Sequence, residues 1–382
     1  MSGVERSLPS DEARELIELV RELIAREIAP RVAADEEAHA FPRDVFTKLG
    51  RAGLLSLPFA EEYGGGGQPY EVYLQVLEEL SGAWLTVGLG VSVHTLASFP
   101  VAAYGSEAQR KRLLPDMLGG ETLGAYCLSE PESGSDAAAL RTAAVRDGDA
   151  YRITGTKAWI THAGVADFYA LMARTAEHKS RGISCFHVPA GTPGLAAAAP
   201  EHKMGMHASP TAQLSLDGLR LPEDLRVGEE GQGFPIAMAA LDAGRLGIAA
   251  CSVGVAQAAL DAAVDYAKER RQFGRPIAEF QGLSFLLADA ATQIAAARAL
   301  YLEAARRKDA GRPYGPEAAM AKLFASDVAM RVTTDAVQVF GGYGYVADFP
   351  VERYMREAKV LQIVEGTNQI QRLVIGRHLT TR

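Results

Sequence analysis

The spacing of apolar residues changes twice along this chain, and these changes restrict the folds that it can adopt. Helical spacing dominates up to about residue 120, short alternating segments follow to about residue 230, and helical spacing then returns in long alanine-rich segments. A chain of 382 residues carries enough apolar material for several cores. We therefore predict a mostly α protein with a middle β domain: an N-terminal α-helical domain over 1–120, a β domain over 121–230 and a C-terminal four-helix bundle over 231–382.

Residue patterns within the three parts predict individual elements. Ser10 and Ser106 each precede a helical segment and are expected to cap it. The segment "VRDGDAYRITGTKAWIT" combines turn residues with alternating β-formers, which predicts a compact antiparallel unit of the barrel or sandwich type. In the last part, helices are predicted over 234–273, 280–310, 315–340 and 367–378.

The stretch from Trp84 to Tyr104 contains no Asp, Glu, Lys or Arg and is long enough to span a membrane. It also contains polar residues and Pro100, and no basic flank sets an orientation. We predict a buried helix that is broken near Pro100, and no membrane span.

Charge and cysteine content restrict the setting of the protein. A net charge of -8 argues against a nucleic-acid partner, which requires clustered Lys and Arg. Cys127, Cys185 and Cys251 are odd in number and widely spaced, so neither a disulfide framework nor a metal site is indicated. The N-terminus has no apolar signal core, and a cytoplasmic location is predicted.

The segment "GYGYVA", Gly342 to Ala347, matches the glycine pattern of dinucleotide-binding loops, and Glu365 follows at about the distance of a ribose-binding acid. That pattern requires a strand before it and a helix after it. A helical segment precedes it instead, and Phe349-Pro350 is expected to prevent a helix immediately afterwards. We therefore reject a Rossmann fold.

Several polar segments are candidates for chemistry, although each has an ordinary structural interpretation when taken alone. "YCLSEPESGSD" is a solvated turn or a cofactor-holding loop, and it contains no G-x-S-x-G nucleophile motif. Trp159 in "GTKAWITHAG" is a packing residue or a cofactor platform. The arginines of "ERRQFGRPI" interact with a helix C-terminus or with a phosphate.

Together these segments resemble the acyl-CoA dehydrogenase family, and the resemblance extends over essentially the whole chain. Six matches occur in the family's order and at close to its spacing: "YCLSEPESGSD", "GTKAWITHAGVAD", "LDAGRLGIAA", "ERRQFGRPIAEFQ", "QVFGGYGY" and "VEGTNQIQRL". The resemblance implies an N-terminal helical domain, a middle β domain and a C-terminal four-helix bundle, assembled as a homotetramer.

The resemblance also implies a bound FAD that is shared between subunits. Within one subunit, the residues expected to line or cover the flavin ring are Tyr126, Leu128, Ser129, Trp159 and Thr161. The residues expected to reach the diphosphate and adenosine of a neighbouring subunit's FAD are Arg270 and Gln281. The residues expected to complete that nucleotide pocket are Gln338, Gly342, Thr367 and Gln369.

For the acyl-CoA substrate, the resemblance places Ser135 at the CoA chain, and Asp242 and Arg245 beside the acyl thioester. Glu365 would take the Cα proton while flavin N5 takes the Cβ hydride, which forms the trans-2-enoyl-CoA. The weakly acidic Cα–H requires stabilisation of an enolate-like oxygen. The resemblance implies that the flavin ribityl chain and the backbone N–H of Glu365 donate hydrogen bonds to this oxygen. Gly366 suits the close approach, and burial is expected to raise the pKa of Glu365.

Alternatives to this assignment remain at three levels. A lone Glu before a helix is ordinarily a favourable charge–dipole contact. Some family members carry the base one position before the residue equivalent to Arg245, but here that position is Gly244. An acyl-CoA oxidase or monooxygenase of the same fold, or a non-catalytic subunit, would have a similar sequence, whereas a dehydrogenase implies electron transfer flavoprotein as the acceptor.

Three positions depart from the family's commonest pattern: His162, His207 and Val364. The plain interpretation of both histidines is a surface or strand residue without a special role. Val364 is smaller than the Tyr of many relatives and precedes Glu365 directly. We therefore hypothesise that it leaves room for a short or branched acyl group.

Overall fold

The computed structural model describes residue 4 and residues 6–381. Within these residues the N-terminal part contains six α-helices: α1 (Asp11–Leu23), α2 (Val32–Glu37), α3 (Arg43–Arg51), α4 (Tyr70–Ala83), α5 (Leu85–Tyr104) and α6 (Glu107–Leu118). Ser10 Oγ accepts from Ala13 N at 3.1 Å. Ser106 and Gln109 form a reciprocal capping box. Both predicted N-caps are confirmed.

Helix α5 continues through Pro100 to Tyr104, so the predicted break near Pro100 is wrong. A proline inside a helix removes one hydrogen bond and costs about 3 kcal/mol. Nearly every residue of α5 is buried, and the helix packs against α4, one long C-terminal helix and the first strand of the β domain. This packing stabilises the helix across the proline.

The β domain is one eight-stranded sheet with helix α6 leading into its first strand. The strands are β1 (Gly124–Cys127), β2 (Ala143–Asp147), β3 (Ala150–Thr161), β4 (Phe168–Arg174), β5 (Ile183–Pro189), β6 (Leu195–Ala197), β7 (Thr211–Pro222) and β8 (Arg226–Val227). Their order is β6-β7-β3-β2-β4-β5-β8, with β1 beside β4.

The prediction of a purely antiparallel unit is wrong at two pairings. β1 runs parallel to β4 over four residues, and β2 meets β4 in parallel at Ala143 and Arg174. Turn residues mark where a strand ends but not where the chain re-enters the sheet, so sequence patterns did not indicate these directions.

Alternation along β4 separates two cores. Phe168, Ala170 and Met172 belong to a cluster shared with α5, α6 and the start of the C-terminal helices. The residues between them pack instead with the inward faces of β3, β5 and β7. The sheet therefore curls around its own core and presents its other face to the helices, as predicted for a mostly α protein with a middle barrel-like or sandwich-like β domain.

The C-terminal part contains, within the described residues, five helices: α7 (Gly233–Glu269), α8 (Gln281–Asp309), α9 (Gly315–Phe340), α10 (Val351–Leu361) and α11 (Asn368–Thr380). A short hairpin of β9 (Arg271–Gln272) and β10 (Arg275–Pro276) ends α7 earlier than the predicted residue 273. The predicted helix over 315–340 matches α9.

Helix α10 was not predicted, and the expectation that Phe349-Pro350 prevents a helix is wrong. Pro350 stands at the N-cap, and α10 begins at the next residue. A proline is compatible with a helix start because the first N–H groups have no intrahelical partner. The rejection of a Rossmann fold still holds, since Gly341–Tyr345 is a 3-10 turn that directly follows helix α9.

By length and composition, three of the described helices could cross a membrane: α5, α7 and α8. The apolar windows of α5 and α7 are mostly buried inside the protein. Only 17% of the corresponding window of α8 is buried, so this helix presents an apolar surface outward. Helix α7 lies at the centre, in contact with α4, α5, α8, α9 and the sheet. It therefore brings its residues to the junction of all three parts.

Candidate functional site

Glu365 lies in the short loop between α10 and α11. Its φ is 53° and that of Gly366 is 90°, so two consecutive residues adopt the left-handed conformation. A non-glycine residue in this region is uncommon and is stabilised only by its surroundings. Thr367 then caps α11 by accepting a hydrogen bond from Ile370 N at 3.3 Å. The loop is thus a tight, defined turn that directs the Glu365 side chain inward.

The Glu365 carboxylate is short of hydrogen-bond partners. Its Oε2 is enclosed and has no partner among the described residues. Burial raises the pKa of Glu365 from 4.5 to about 7, while the cations of Lys322 and Arg245 act in the opposite direction. A carboxyl group with a pKa near neutrality is well suited to accept a proton from a weakly acidic carbon.

Gly244 on α7 makes this arrangement possible. A Cβ atom built at Gly244 would collide with Glu365 Oε2. The position that carries the base in some family members is therefore the space that the Glu365 carboxylate approaches here. The two base positions are mutually exclusive in this structure for steric reasons.

A cavity of about 520 Å³ adjoins Gly244. Its inner wall comes from α4, α5 and α7, and includes Tyr73, Ser92 and Thr95. Its outer part reaches the exposed residues Glu62 and Glu107. The hydroxyl of Thr95 is enclosed without a partner among the described residues. The cavity therefore connects solvent with the neighbourhood of the Glu365 carboxylate.

The residues assigned to the substrate lie at different places. Arg245 is buried and pairs with Asp242 one turn earlier on α7, at 2.5 Å. Ser135 is exposed in the loop after β1. Val364 packs against the main helical core and is not among the described residues that line the cavity. The hypothesis that Val364 leaves room for the acyl group therefore gains no support from this cavity.

The residues assigned to the flavin ring come together at the ends of β1 and β3. Ala158 N donates to Ser129 O at 2.9 Å, which joins the two segments. The ladder between β3 and β7 shifts between Lys157 and Ile160, and this bulge turns Trp159 outward, with φ 62° and 64% of its surface exposed. Leu128 and Thr161 lie on the same two segments.

Tyr126 connects this region with Glu365. Burial raises the pKa of Tyr126 well above its usual range, and the charges of Cys185 and Glu365 add to the effect. Its hydroxyl is enclosed and has no partner among the described residues. A buried hydroxyl without a partner is expected to bond to a group that the chain itself does not supply.

The residues assigned to the nucleotide form a second region. A cavity of about 650 Å³ is lined by Arg270, Gly342 and Tyr343, and none of its described lining residues also lines the cavity at Gly244. The guanidinium of Arg270 lies over the Tyr343 ring. Gln281, Gln338 and Gln369 are exposed near helix ends, and Thr367 is half-buried at the start of α11.

These observations fit a flavin dinucleotide. An exposed Trp face, an unpartnered buried tyrosine hydroxyl and an arginine-lined cavity match an aromatic ring, its polar edge and a diphosphate, respectively. The residues assigned to the flavin ring are not among the described residues that line the cavity at Arg270.

Two buried lysines near the site were missed by sequence reasoning. Lys322 on α9 is fully buried and donates to Gly366 O and Asn368 Oδ1, both at 2.9 Å. Lys157 on β3 is fully buried and pairs with Glu130 at 2.8 Å. Each lysine occupies an otherwise apolar inward position, in "AAMAKLFAS" and "TGTKAWIT". A charged residue that interrupts an apolar face was the signal in both cases.

The two atypical histidines are not equivalent. His162 is buried, and its Nδ1 lies 3.0 Å from Gly124 O, to which it donates in the neutral form. Burial lowers the pKa of His162 to about 4, so the interpretation as a surface residue is wrong. His207 is partly buried and stacks on the His39 ring at 4.7 Å.

Comparison with known proteins agrees with this geometry. Family models for the N-terminal, middle and C-terminal domains of acyl-CoA dehydrogenase match residues 10–121, 125–219 and 231–380. The chain is 47% identical over 363 residues to an acyl-CoA dehydrogenase of Bacillus subtilis (strain 168), covering 94% of this chain and 96% of that protein.

Two solved structures are closely similar. Butyryl-CoA dehydrogenase from Megasphaera elsdenii superposes with a TM-score of 0.96 at 41% identity, covering 98% of this chain and 100% of that chain. A chain from a structure of the electron transferring flavoprotein of Acidaminococcus fermentans superposes with a TM-score of 0.97 at 44% identity, covering 99% of this chain and 100% of that chain.

Proposed function

This chain belongs to the acyl-CoA dehydrogenase family of oxidoreductases, and from that premise we propose that it converts a short acyl-CoA thioester to the trans-2-enoyl-CoA with Glu365 as the base. The observation that carries the proposal is the buried Glu365 carboxylate, which has an unpartnered oxygen beside an open cavity. Bound FAD supplies the acceptor for the hydride that leaves Cβ.

The role of Glu365 follows from its surroundings. The Cα–H bond breaks, its proton moves to the carboxylate, and the electron pair forms the new double bond as the hydride leaves Cβ. Because Oε2 makes no hydrogen bond within the described chain, no protein contact has to break before it accepts the proton. Burial raises the pKa of Glu365 to about 7, which makes it a stronger base than an exposed carboxylate.

The chain's other residues hold the substrate and cofactor. Asp242 and the buried Arg245 form an ion pair that flanks Gly244 on α7, and they would orient the thioester. Tyr126 and Thr161 would bond to the polar edge of FAD, and Trp159 would cover its ring. Arg270 would bind the diphosphate of the neighbouring subunit's cofactor.

The short acyl chain is proposed from a relative rather than from the dimensions of the cavity. Ser92, which lines the cavity, lies against the backbone of Gly247, where a Cβ atom would collide with its hydroxyl. The similarity to a butyryl-CoA dehydrogenase supports the same chain length.

The exposed face of helix α8 supports a proposal for the assembly. An outward stripe of α8 combines an exposed Phe285 with small residues such as Ala288 and Ala295, which allows another helix to approach closely. We assign this face to a homotetramer.

The match to a chain from an electron transferring flavoprotein structure supports that flavoprotein as the electron acceptor. The three cysteines are free and buried, which supports a cytoplasmic location.

The test is anaerobic titration of the FAD-loaded protein with butyryl-CoA, isovaleryl-CoA and octanoyl-CoA while the flavin absorbance is recorded. We expect butyryl-CoA to bleach the flavin fastest. Glu365→Gln is expected to keep its flavin and lose about 10³- to 10⁴-fold in reduction rate.

Glu357→Gln is the matched control. Burial also raises the pKa of Glu357 to about 7, but this carboxylate pairs with Arg353 at 3.2 Å, away from the cavity. In the Glu357→Gln variant, the acyl-CoA should reduce the flavin at nearly the wild-type rate. Equal reduction rates in Glu365→Gln and wild type would refute Glu365 as the base, and a preference for octanoyl-CoA would refute the short chain.

A further inference from the structure

Lys322 is a buried cation that makes no ion pair with a carboxylate within the described chain. Its ammonium group donates to two neutral acceptors, Gly366 O and Asn368 Oδ1, each at 2.9 Å. A lysine without any exposed surface loses the hydration of its charge, which is unfavourable unless the environment compensates. Both acceptors belong to the turn that carries Glu365.

We propose that Lys322 is a positioning residue for the base: it fixes the Glu365–Gly366 turn through hydrogen bonds and keeps the Glu365 carboxylate ionised through its charge. This inference rests on the proposed role of Glu365. It adds a residue on α9 that does not itself contact the substrate.

Helix α9 holds the turn in place through hydrogen bonds. One face of α9 supports the turn through Lys322, Ser326 and Asp327. Asn368 receives hydrogen bonds from Lys322 and Ser326 and donates to Asp327 Oδ1 at 2.7 Å. The strained backbone at Glu365 is therefore fixed to a rigid helix rather than to another loop.

Gln371 provides a second, neutral support. Its Nε2 donates to Gly366 O at 2.8 Å and to Glu365 O at 3.3 Å. Gly366 O thus accepts from one cationic donor and one neutral donor. This pair allows the effect of the charge to be separated from the effect of the hydrogen bond.

The charge of Lys322 also acts on the Glu365 carboxylate. After burial, Lys322 is the largest influence on the pKa of Glu365, and it favours the ionised form more than Arg245 does. Arg245 is partly neutralised by its own partner, Asp242. The Lys322 charge makes no such ion pair within the described residues.

Other titratable groups around Glu365 stay neutral near pH 7. They are Tyr70 and Tyr73 from α4, Tyr126 from β1 and Cys251 from α7, and burial raises the pKa of each. On the side of Lys322, Asp327 favours its charged form and Arg245 opposes it, and burial lowers the pKa of Lys322 to about 8. The main electrostatic interaction at the turn is therefore the one between the Lys322 cation and the Glu365 carboxylate.

The experiment compares Lys322→Met with Gln371→Leu in the FAD-loaded protein. Loss of the cation is expected to raise the pKa of Glu365 by about one pH unit. Flavin reduction by butyryl-CoA should then fall about 5-fold at pH 7, because the ionised fraction of Glu365 drops from about one half to about one tenth, and it should recover by pH 9. Gln371→Leu should slow reduction equally at all pH values, without moving the midpoint.

A direct readout is the pH-dependent carboxyl band in the infrared difference spectrum, identified by its absence in Glu365→Gln. Its midpoint should move upward in Lys322→Met and stay in place in Lys322→Arg. If Lys322→Met does not fold, Lys322→Gln removes the charge and retains a donor, and the same shift is expected.

An unchanged midpoint in the charge-removing variants would overturn the inference, even if activity falls. Full activity of Glu365→Gln would instead refute the proposed base, whatever the Lys322 variants show. The two failures are therefore distinguishable.

Discussion

Two buried lysine–glutamate sites in this molecule have opposite designs. In the β domain, Glu130 accepts from Lys157 Nζ at 2.8 Å, Arg141 N at 2.6 Å and Thr142 N at 2.9 Å. In the helical part, Lys322 bonds to backbone and amide oxygens, and Glu365 keeps an oxygen without a partner. The residue types are the same, but the hydrogen bonds are distributed differently.

The difference determines how each carboxylate titrates. Burial raises the pKa of both, but the Lys157 charge and three hydrogen bonds bring the pKa of Glu130 below its usual range. At Glu365 burial prevails, and the pKa rises to about 7. A carboxylate whose hydrogen-bonding capacity is filled is a structural anchor, here for the loop that follows Leu128. A carboxylate with an unpartnered oxygen is available for proton transfer.

The largest expected effect is on stability and concerns the Lys157–Glu130 pair. Lys157→Met leaves Glu130 buried without its cation, and we expect a loss of about 3–5 kcal/mol in the free energy of unfolding. Urea denaturation measures this loss. Lys179→Met is the control, because the Lys179–Asp136 pair is exposed and should contribute less than about 1 kcal/mol. Similar small losses in both variants would show that the Lys157–Glu130 site is not an anchor.

A second prediction concerns the pH dependence of stability. The pKa of Glu365 is about 7 when folded and 4.5 when unfolded, so the folded state binds more protons between these values. The free energy of unfolding therefore falls as the pH rises from 4.5 to 7, by at most about 3 kcal/mol for this group.

Glu365→Gln should remove this fall, leaving a similar contribution from Glu357, whose pKa is also about 7. The lowered pKa of Glu130 stabilises the fold above pH 4.5, and this stabilisation is lost on acidification. Glu130→Gln should therefore remove the part of the free energy of unfolding that falls below pH 4.5. Urea titrations at pH 5 and pH 7.5 measure the Glu365 contribution, and titrations continued below pH 4.5 measure the Glu130 contribution. A steeper dependence in Glu365→Gln would contradict the assigned titration.

The smallest expected effect concerns the contact between Gly244 and the Glu365 carboxylate. In Gly244→Ala the new methyl group collides with Glu365 Oε2, and the carboxylate must move. We expect flavin reduction to slow about 10- to 100-fold with little change in stability. Gly376→Ala on α11 is the control, since no described atom lies within 4 Å of the added methyl group there. Equal rates in both variants would show that Glu365 tolerates displacement.

Local signals in the sequence predicted local structure well. The serines before α1 and α6 cap their helices as expected, and the predicted limits of α9 match. Proline signals were weaker than expected. Pro100 lies inside α5 and Pro350 begins α10, because burial and position within a helix decide what a proline does.

The candidate site was only partly predictable. Motif resemblance indicated Glu365, Trp159 and Arg270. It did not indicate Lys322, which lies outside the matching segments, or a role for Lys157, which lies within "GTKAWITHAGVAD". The importance of these lysines depends on which carbonyl and carboxylate groups surround them, and those groups come from residues up to 46 positions away. Sequence spacing alone does not specify such contacts.

Periodicity and ordered motifs, which are properties of the chain, were enough to predict the three-part architecture, the family and the candidate base. The fold was needed to show that the Glu365 carboxylate lies against Gly244 with one oxygen unpartnered, and that Glu130 accepts three hydrogen bonds. Burial and hydrogen-bond partners set the pKa of a carboxylate, and both depend on segments that meet only in the folded protein.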